Sequence, residues 1–258
     1  MALQSIGFIG GGRITKIVLQ ALANKQIELS SVLVCDTNPE VLKTLQQRFP
    51  KIQPTASCET AAKQEIVVIA LHPPVIMETL EQIKDSIAEN TQLISFAPKI
   101  SIGKIASKLT TRNIARMIPN ATSYINEGYN PVSFSGDYSS REKESLLEML
   151  KTMGETFEVE ETKLEAYAMV SAMLPTYFWF QWEEMQNLGL QMGLNVSESR
   201  ETVQQTLLAA INLLFNSDLK YNEVTDLIPV KPIGEHEAQI TEIYRNKLMG
   251  LFEKIKPQ

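Results

Sequence analysis

The sequence predicts an α/β protein in two parts, a mainly parallel sheet with helices on both faces followed by an all-helical C-terminal domain. Three observations carry this expectation. Short apolar runs alternate with amphipathic helical patterns through the first half. A glycine-rich turn closes the first run, and no convincing strand pattern remains beyond about Glu160. We therefore expect one domain over 1–160 and a second over 161–258.

The first run, Ile6–Gly10, reads as a strand. Further candidate strands are Val32–Cys35, Ile66–Leu71, Leu93–Phe96, Ile114–Met117, Val132–Phe134 and Thr156–Val159. Between the first two, Ile14, Ile17, Val18, Ala21 and Leu22 recur at helical spacing and form one apolar face. Asn38 is a cap for a helix that opens on Pro39, where a missing N–H costs nothing. Ser139 and Glu142 form a capping box ahead of Leu146, Leu147, Leu150 and Met153. Strands that alternate with helices require crossover connections, hence a mainly parallel sheet.

The second part changes character. Leu164–Leu194 is rich in Met, Leu and aromatic residues on nearly all sides, including Tyr177, Phe178, Trp179, Phe180 and Trp182. A helix that is apolar all round must be covered all round. In so small a domain, packing against a second subunit is one way to cover it. Pro175 is expected to kink or divide the segment. Val203, Leu207, Ala210, Ile211 and Leu214 give a further amphipathic helix.

Composition narrows the function classes. Hydrophobic residues make up 44% of the 258 and charged residues 21%, the proportions of an ordinary globular chain. The net charge of -6, with no basic stretch, argues against a nucleic-acid partner, because an acidic surface repels phosphate backbones. Cys35 and Cys58 have neither CxxC nor metal spacing, which fits a reducing compartment and no disulfide framework. Two histidines without clustered acids or cysteines give no metal site. No basic, signal-like segment precedes the first strand. The longest uncharged stretch, 166–182, is broken by Pro175 and falls short of the roughly 20 apolar residues a membrane span needs. A cytoplasmic protein acting on a small molecule is expected.

Gly10-Gly11-Gly12-Arg13-Ile14-Thr15 joins the first strand to the first helix. Glycines there allow a tight turn and a close backbone approach to a pyrophosphate, and the helix N-terminus offers free N–H groups. Thr15 departs from the Gly or Ala usual at the third position of this fingerprint. Asp36, at the end of the second strand, is suited to accept hydrogen bonds from the adenosine ribose, or alternatively to cap a turn. Together these residues predict a Rossmann-type dinucleotide site made of Gly10, Gly11, Gly12, Arg13, Ile14, Asp36, Thr37 and Asn38. Asp36 tips the choice of cofactor towards NAD, since it repels a 2′-phosphate and no Arg follows it. Thr37 and Asn38 remain able to hold a phosphate, so NADP and NAD both stay open.

At this point the chain resembles the pyrroline-5-carboxylate reductase family. The resemblance rests on the opening Ile6-Gly7-Phe8-Ile9-Gly10-Gly11-Gly12, on Ala70-Leu71-His72-Pro73 and on Ala115-Arg116-Met117-Ile118-Pro119-Asn120, with Gly128 at the expected spacing. It extends to Val170-Ser171-Ala172-Met173-Leu174-Pro175-Thr176-Tyr177, with Glu183 beyond. It implies an NAD(P)H-dependent oxidoreductase of the proline-biosynthesis type, reducing the C=N bond of a small cyclic imine. It also implies a homodimer, or a higher oligomer, built through the C-terminal helices. Ala70, Leu71, His72, Pro73, Ala97 and Asn120 would then lie near the nicotinamide.

The departures gather where the family holds its substrate carboxylate. Lys231-Pro232-Ile233-Gly234-Glu235-His236 stands in place of a serine-proline-glycine-glycine-threonine-threonine loop, and Ala172-Met173 replaces a small glycine-serine pair. Glu235 would repel a carboxylate unless it is protonated or paired. Substrate contacts are expected from Asn120, Ser171, Glu235 and His236. Candidate proton donors are His236, by its near-neutral reference pKa, then Tyr177 and Ser171. His236 also reads as a solvated surface residue, His72 as a plain helix entry, and Tyr177 as core or interface. Glu183 and Glu184 are adjacent on a helix and form no catalytic pair. Two rival readings stand beside the reductase. One is a reductase of a different, non-carboxylate substrate; the other is a non-catalytic, dinucleotide-binding sensor.

Overall fold

The computed structural model describes residues 4–257. Its strands are β1 (Ile6–Ile9), β2 (Val32–Cys35), β3 (Gln53–Thr55), β4 (Ile66–Ile69), β5 (Gln92–Ser95), β6 (Ile114–Met117), β7 (Gly128–Phe134) and β8 (Gly154–Glu158). They form one sheet in the order β3-β2-β1-β4-β5-β6-β7-β8, parallel at every pairing except β6 with β7. The mainly parallel sheet and the helical C-terminal region follow the expected fold class. β3 lies outside the candidate strands. It is a three-residue edge strand carrying Pro54, and so short a segment has no apolar alternation to announce it.

The helices are α1 (Arg13–Asn24), α2 (Pro39–Arg48), α3 (Cys58–Ala62), α4 (Pro73–Ile83), α5 (Ile102–Ala106), α6 (Ser140–Lys151), α7 (Leu164–Tyr167), α8 (Trp179–Gln191), α9 (Val196–Asn216), α10 (Tyr221–Asp226) and α11 (Glu237–Ile255). α1 buries Thr15, Val18, Leu19, Ala21 and Leu22, close to the face its period predicts. Asn38 caps α2, its side chain accepting the Glu40 N–H, and Pro39 fills the first helical position. The expected box at Ser139 does not form. Ser139 makes no side-chain cap bond, and Glu142 Oε2 instead accepts from Asn113 Nδ2 at 3.0 Å. A tertiary partner outcompetes the local one.

Neighbouring residues of a strand face opposite sides, so the sheet divides two apolar cores. Ile6, Phe8, Val32 and Val34 pack in one with α1, α2 and α6 residues. Ile9, Cys35, Val67 and Ile69 pack in the other with α3, α4 and α5 residues.

Two compact units are present, Met1–Ala172 with Phe252–Gln258, and Met173–Leu251. The sheet itself ends at Glu158. Between 164 and 194 the chain is divided rather than continuous. α7 passes into a π-helical turn at Ala168–Ala172, then a 3₁₀ turn at Leu174–Tyr177 containing Pro175, then α8. Pro175 cannot donate to the helical ladder, which is the reason for the break. α8 fully buries none of its residues, and Trp179, Phe180 and Met185 are exposed. The single chain therefore leaves the aromatic residues of this helix partly uncovered. Among the described residues no helix is long and apolar enough to cross a membrane.

Candidate active site

The strand order reverses direction between β1 and β4, and the turn after β1 lies at that switch point. In open parallel sheets, ligands bind in this crevice at the carboxyl edge. Gly10 adopts φ +105°, and a Cβ there would stand 2.6 Å from the Ala70 carbonyl oxygen. Only glycine fits. A Cβ on Gly12 would meet nothing within 4 Å, so the turn is open above the first turn of α1. There the backbone N–H groups have no partners of their own in the helix. An open backbone cradle at a helix N-terminus fits a pyrophosphate.

The departure at Thr15 is accommodated. Its side chain is buried and its hydroxyl donates to the Gly10 carbonyl at 2.6 Å, tying the turn to the helix. Asp36 reaches back across the same turn. Oδ2 accepts the Gly11 N–H and Oδ1 the Asn38 N–H, both at 2.8 Å. Asn38 Oδ1 is itself taken by the Glu40 N–H at 3.0 Å. Arg13 and Thr37 are exposed, and Ile14 packs partly against the core. Gly11, Gly12, Arg13 and Lys16 face Glu40, Val41, Thr44 and Leu45 across a cleft of about 380 Å³.

Further along the carboxyl edge, Ala70 and Leu71 are half-buried. His72 is exposed and precedes α4, its side chain making no cap bond, and Pro73 is the first helical residue. Ala97 is buried, and its carbonyl accepts from Arg116 Nη2 at 3.4 Å. Asn120 is also buried and internally engaged. Its Nδ2 donates to the Ser171 carbonyl (3.3 Å) and to Ser171 Oγ (3.1 Å), and its Oδ1 accepts from the Thr122 N–H and hydroxyl, each at 3.0 Å. Ser171 Oγ reaches the Tyr129 carbonyl at 3.2 Å. Asn120 and Ser171, 51 positions apart, are thus brought together, Ser171 on the π-helical turn.

In the second unit, Tyr177 lies beside Tyr244, ring centres 6.3 Å apart, and burial raises its phenol pKa. Glu235 and His236 sit on the 3₁₀ turn that leads into α11. They form an exposed side-chain pair at 3.4 Å.

Three features escaped the sequence reading. Arg116, wholly buried on β6, donates to Glu161 Oε1 at 2.8 Å and Glu165 Oε1 at 2.6 Å. A lone arginine in an apolar strand was the available signal, since a buried charge demands a partner. The expectation of no disulfide is corrected: Cys35 and Cys58 are bonded, their Cα atoms 5.3 Å apart. The end of β2 and the start of α3 meet only once the sheet is formed. Lys99 takes φ +72°, a left-handed conformation that costs a residue with a Cβ about 1–2 kcal/mol. It is exposed, two positions past Ala97. Among the described residues no group of three or more His, Cys, Asp or Glu is arranged to hold a metal.

Two family models match the chain in order. One, described as NADP oxidoreductase, coenzyme F420-dependent, covers residues 5–99, and the other, pyrroline-5-carboxylate reductase dimerisation, covers 161–255. The chain resembles the pyrroline-5-carboxylate reductases. The enzyme of that name from Haemophilus influenzae is 26% identical over 215 residues, 81% of this chain and 78% of its own. That from Corynebacterium melassecola is 21% identical over 254 residues, 97% of this chain and 94% of its own. Among solved structures, Plasmodium falciparum pyrroline carboxylate reductase, crystallised with NADP bound, superposes with a TM-score of 0.84. The identity is 22%, covering 99% of this chain and 98% of that one. The Coxiella burnetii pyrroline-5-carboxylate reductase gives 0.72 at 22% identity, covering 98% and 94%. These structures establish a shared fold along nearly the whole pyrroline-5-carboxylate reductase scaffold.

Proposed function

We propose that this chain is an NAD(P)H-dependent reductase that delivers hydride to the C=N bond of a small cyclic imine of the pyrroline-5-carboxylate type. The observation that carries the reading is the open glycine turn at the sheet's switch point, with Asp36 fixed beside it. Residues 1–160 hold the dinucleotide and 161–258 serve substrate binding and dimerisation. Gly10, Gly11, Gly12, Arg13 and Ile14 cradle the pyrophosphate, and Asp36, Thr37 and Asn38 face the adenosine ribose. Ala70, Leu71, His72, Pro73, Ala97 and Asn120 line the nicotinamide end.

The bound nicotinamide supplies the hydride, and the protein supplies orientation and a proton donor. Ser171, held by Asn120, orients the substrate heteroatom. His236, with Tyr177 in reserve, supplies the proton, and Glu235 together with His236 contacts the substrate. The protein works as a homodimer through its C-terminal helices, which accounts for the exposed aromatic residues of α8. We place it in the cytoplasm, whose reducing conditions would open the Cys35–Cys58 bond to a dithiol.

The exposed acids Glu235 and Glu237 at the start of α11 favour a second reading, a substrate without a carboxylate. Oxidation of NADH and NADPH by the purified protein with pyrroline-5-carboxylate, against a no-substrate control, separates the two. Saturable turnover is expected. Cofactor binding without turnover would overturn the imine assignment and leave the dinucleotide site in place.

A further inference from the structure

We infer that Lys99 pairs with the carboxylate of the substrate and so selects carboxylated imines, a step that rests on the imine-reductase reading above and deepens it.

Lys99 holds φ +72°. Left-handed backbone suits glycine, and a lysine on an ordinary surface gains nothing from it. Strain of this kind collects at ligand sites, where the surrounding structure enforces it. The enforcement here is visible. Before Lys99, the Ala97 carbonyl accepts from Arg116 Nη2 at 3.4 Å. After it, the Ile102 N–H donates to Glu161 Oε1 at 2.7 Å, and the same oxygen accepts from Arg116 Nη1. Pro98 has a fixed φ, and Ile100 is buried. The loop is thus pinned at both ends and in the middle, and Lys99 is the one exposed residue between Ala97 and Ile102. Among the described residues its side chain makes no hydrogen bond, ion pair or ring contact.

Its place in the sheet gives that free ammonium a use. β5 runs parallel to both its neighbours, with Ser95 opposite Ile69 of β4 and Arg116 of β6. Lys99 therefore leaves the same carboxyl edge as His72 and Asn120, on the strand between theirs. Across the three loops there, 70–73, 96–101 and 118–127, it is the one Lys or Arg. Arg13 and Lys16 belong to α1, beside the glycine turn. Over 231–237, Lys231 is outnumbered by Glu235 and Glu237, so that stretch disfavours an anion. A compact ammonium on a flexible stem is suited to meet one carboxylate at the nicotinamide end.

The test compares turnover of pyrroline-5-carboxylate with that of 1-pyrroline, the same ring without the carboxylate, by the intact protein at saturating cofactor. The wild type is expected to favour the carboxylated ring in kcat/KM. Lys99→Gln should shrink that preference about tenfold, the weight of one charge-assisted hydrogen bond, through KM for the carboxylate. Lys99→Arg should retain it. Lys99→Gly, which suits the backbone, should lose the preference while its urea midpoint stays at or above that of the wild type. A lower midpoint would assign Lys99 to stability and overturn the inference. An unchanged preference in Lys99→Gln would overturn it too. A wild type that favours 1-pyrroline would overturn it and leave imine reduction standing. Turnover of neither ring, with cofactor bound, would overturn both.

Discussion

The guanidinium of Arg116 and the carboxylate of Glu165 lie 2.6 Å apart, the two side chains 0% and 2% exposed. Glu161 Oε1, at 2.8 Å, completes the trio and also accepts the Ile102 N–H that opens α5. This buried charge joins β6, the carbonyl of Ala97 and the helix that leads to Ser171. Removing one partner of such a pair strands the other in a medium of low dielectric.

Glu165→Ala should therefore lower unfolding stability by about 3 kcal/mol. Urea unfolding of the variant beside the wild type measures it. A midpoint within error of the wild type would mean that Glu161 alone satisfies Arg116.

The Cys35–Cys58 bond closes a loop across 23 positions. By the loop-entropy estimate, the oxidised protein should exceed the Cys58→Ser variant by about 3 kcal/mol of stability. Thermal unfolding with and without a reductant checks this. Reductant should lower the wild-type midpoint and leave the variant unmoved, and a wild-type midpoint insensitive to reductant contradicts the expectation.

Tyr138 gives a pH dependence with a definite sign. Its hydroxyl, buried, donates to Gln92 Oε1 at 3.1 Å. Burial, and secondarily the charge of Glu142, raises its pKa far above the ordinary 10.0. The folded state thus retains a proton that the unfolded state releases, so stability is full below about pH 10 and declines as pH rises beyond it. Tyr138→Phe should be somewhat less stable at neutral pH and show a flatter decline above pH 10 in denaturant midpoints. An equally steep alkaline loss would place its origin elsewhere.

Much of the fold was legible because its signals are local. The short apolar runs read as β1, β2, β4, β5 and β6 sit within a residue or two of the observed strands. Asn38-Pro39 announced α2, and Gly10-Gly11-Gly12 announced the turn, since a short stretch of backbone dictates its own glycines and caps. β3 was invisible because a three-residue edge strand has too few side chains to show a period. The capping box at Ser139 failed because Asn113, 29 positions before Glu142, claims its carboxylate. Within the candidate site, the residues around the turn could be named from the sequence. Their internal commitments could not, and Asn120, expected as a ligand contact, is engaged with Ser171 and Thr122.

The sequence by itself determined the α/β class, the glycine turn after β1 and the change to helices near 160, because each depends on neighbours three or four positions away at most. The tertiary structure decided what those groups do. It set Asp36 on the Gly11 and Asn38 amides, Asn120 on Ser171, and Arg116 between Glu161 and Glu165. All but the Asp36–Asn38 contact join residues 25 to 51 positions apart. Only the order of strands in the sheet brings such residues within hydrogen-bonding distance, and no local pattern of residue types encodes that order.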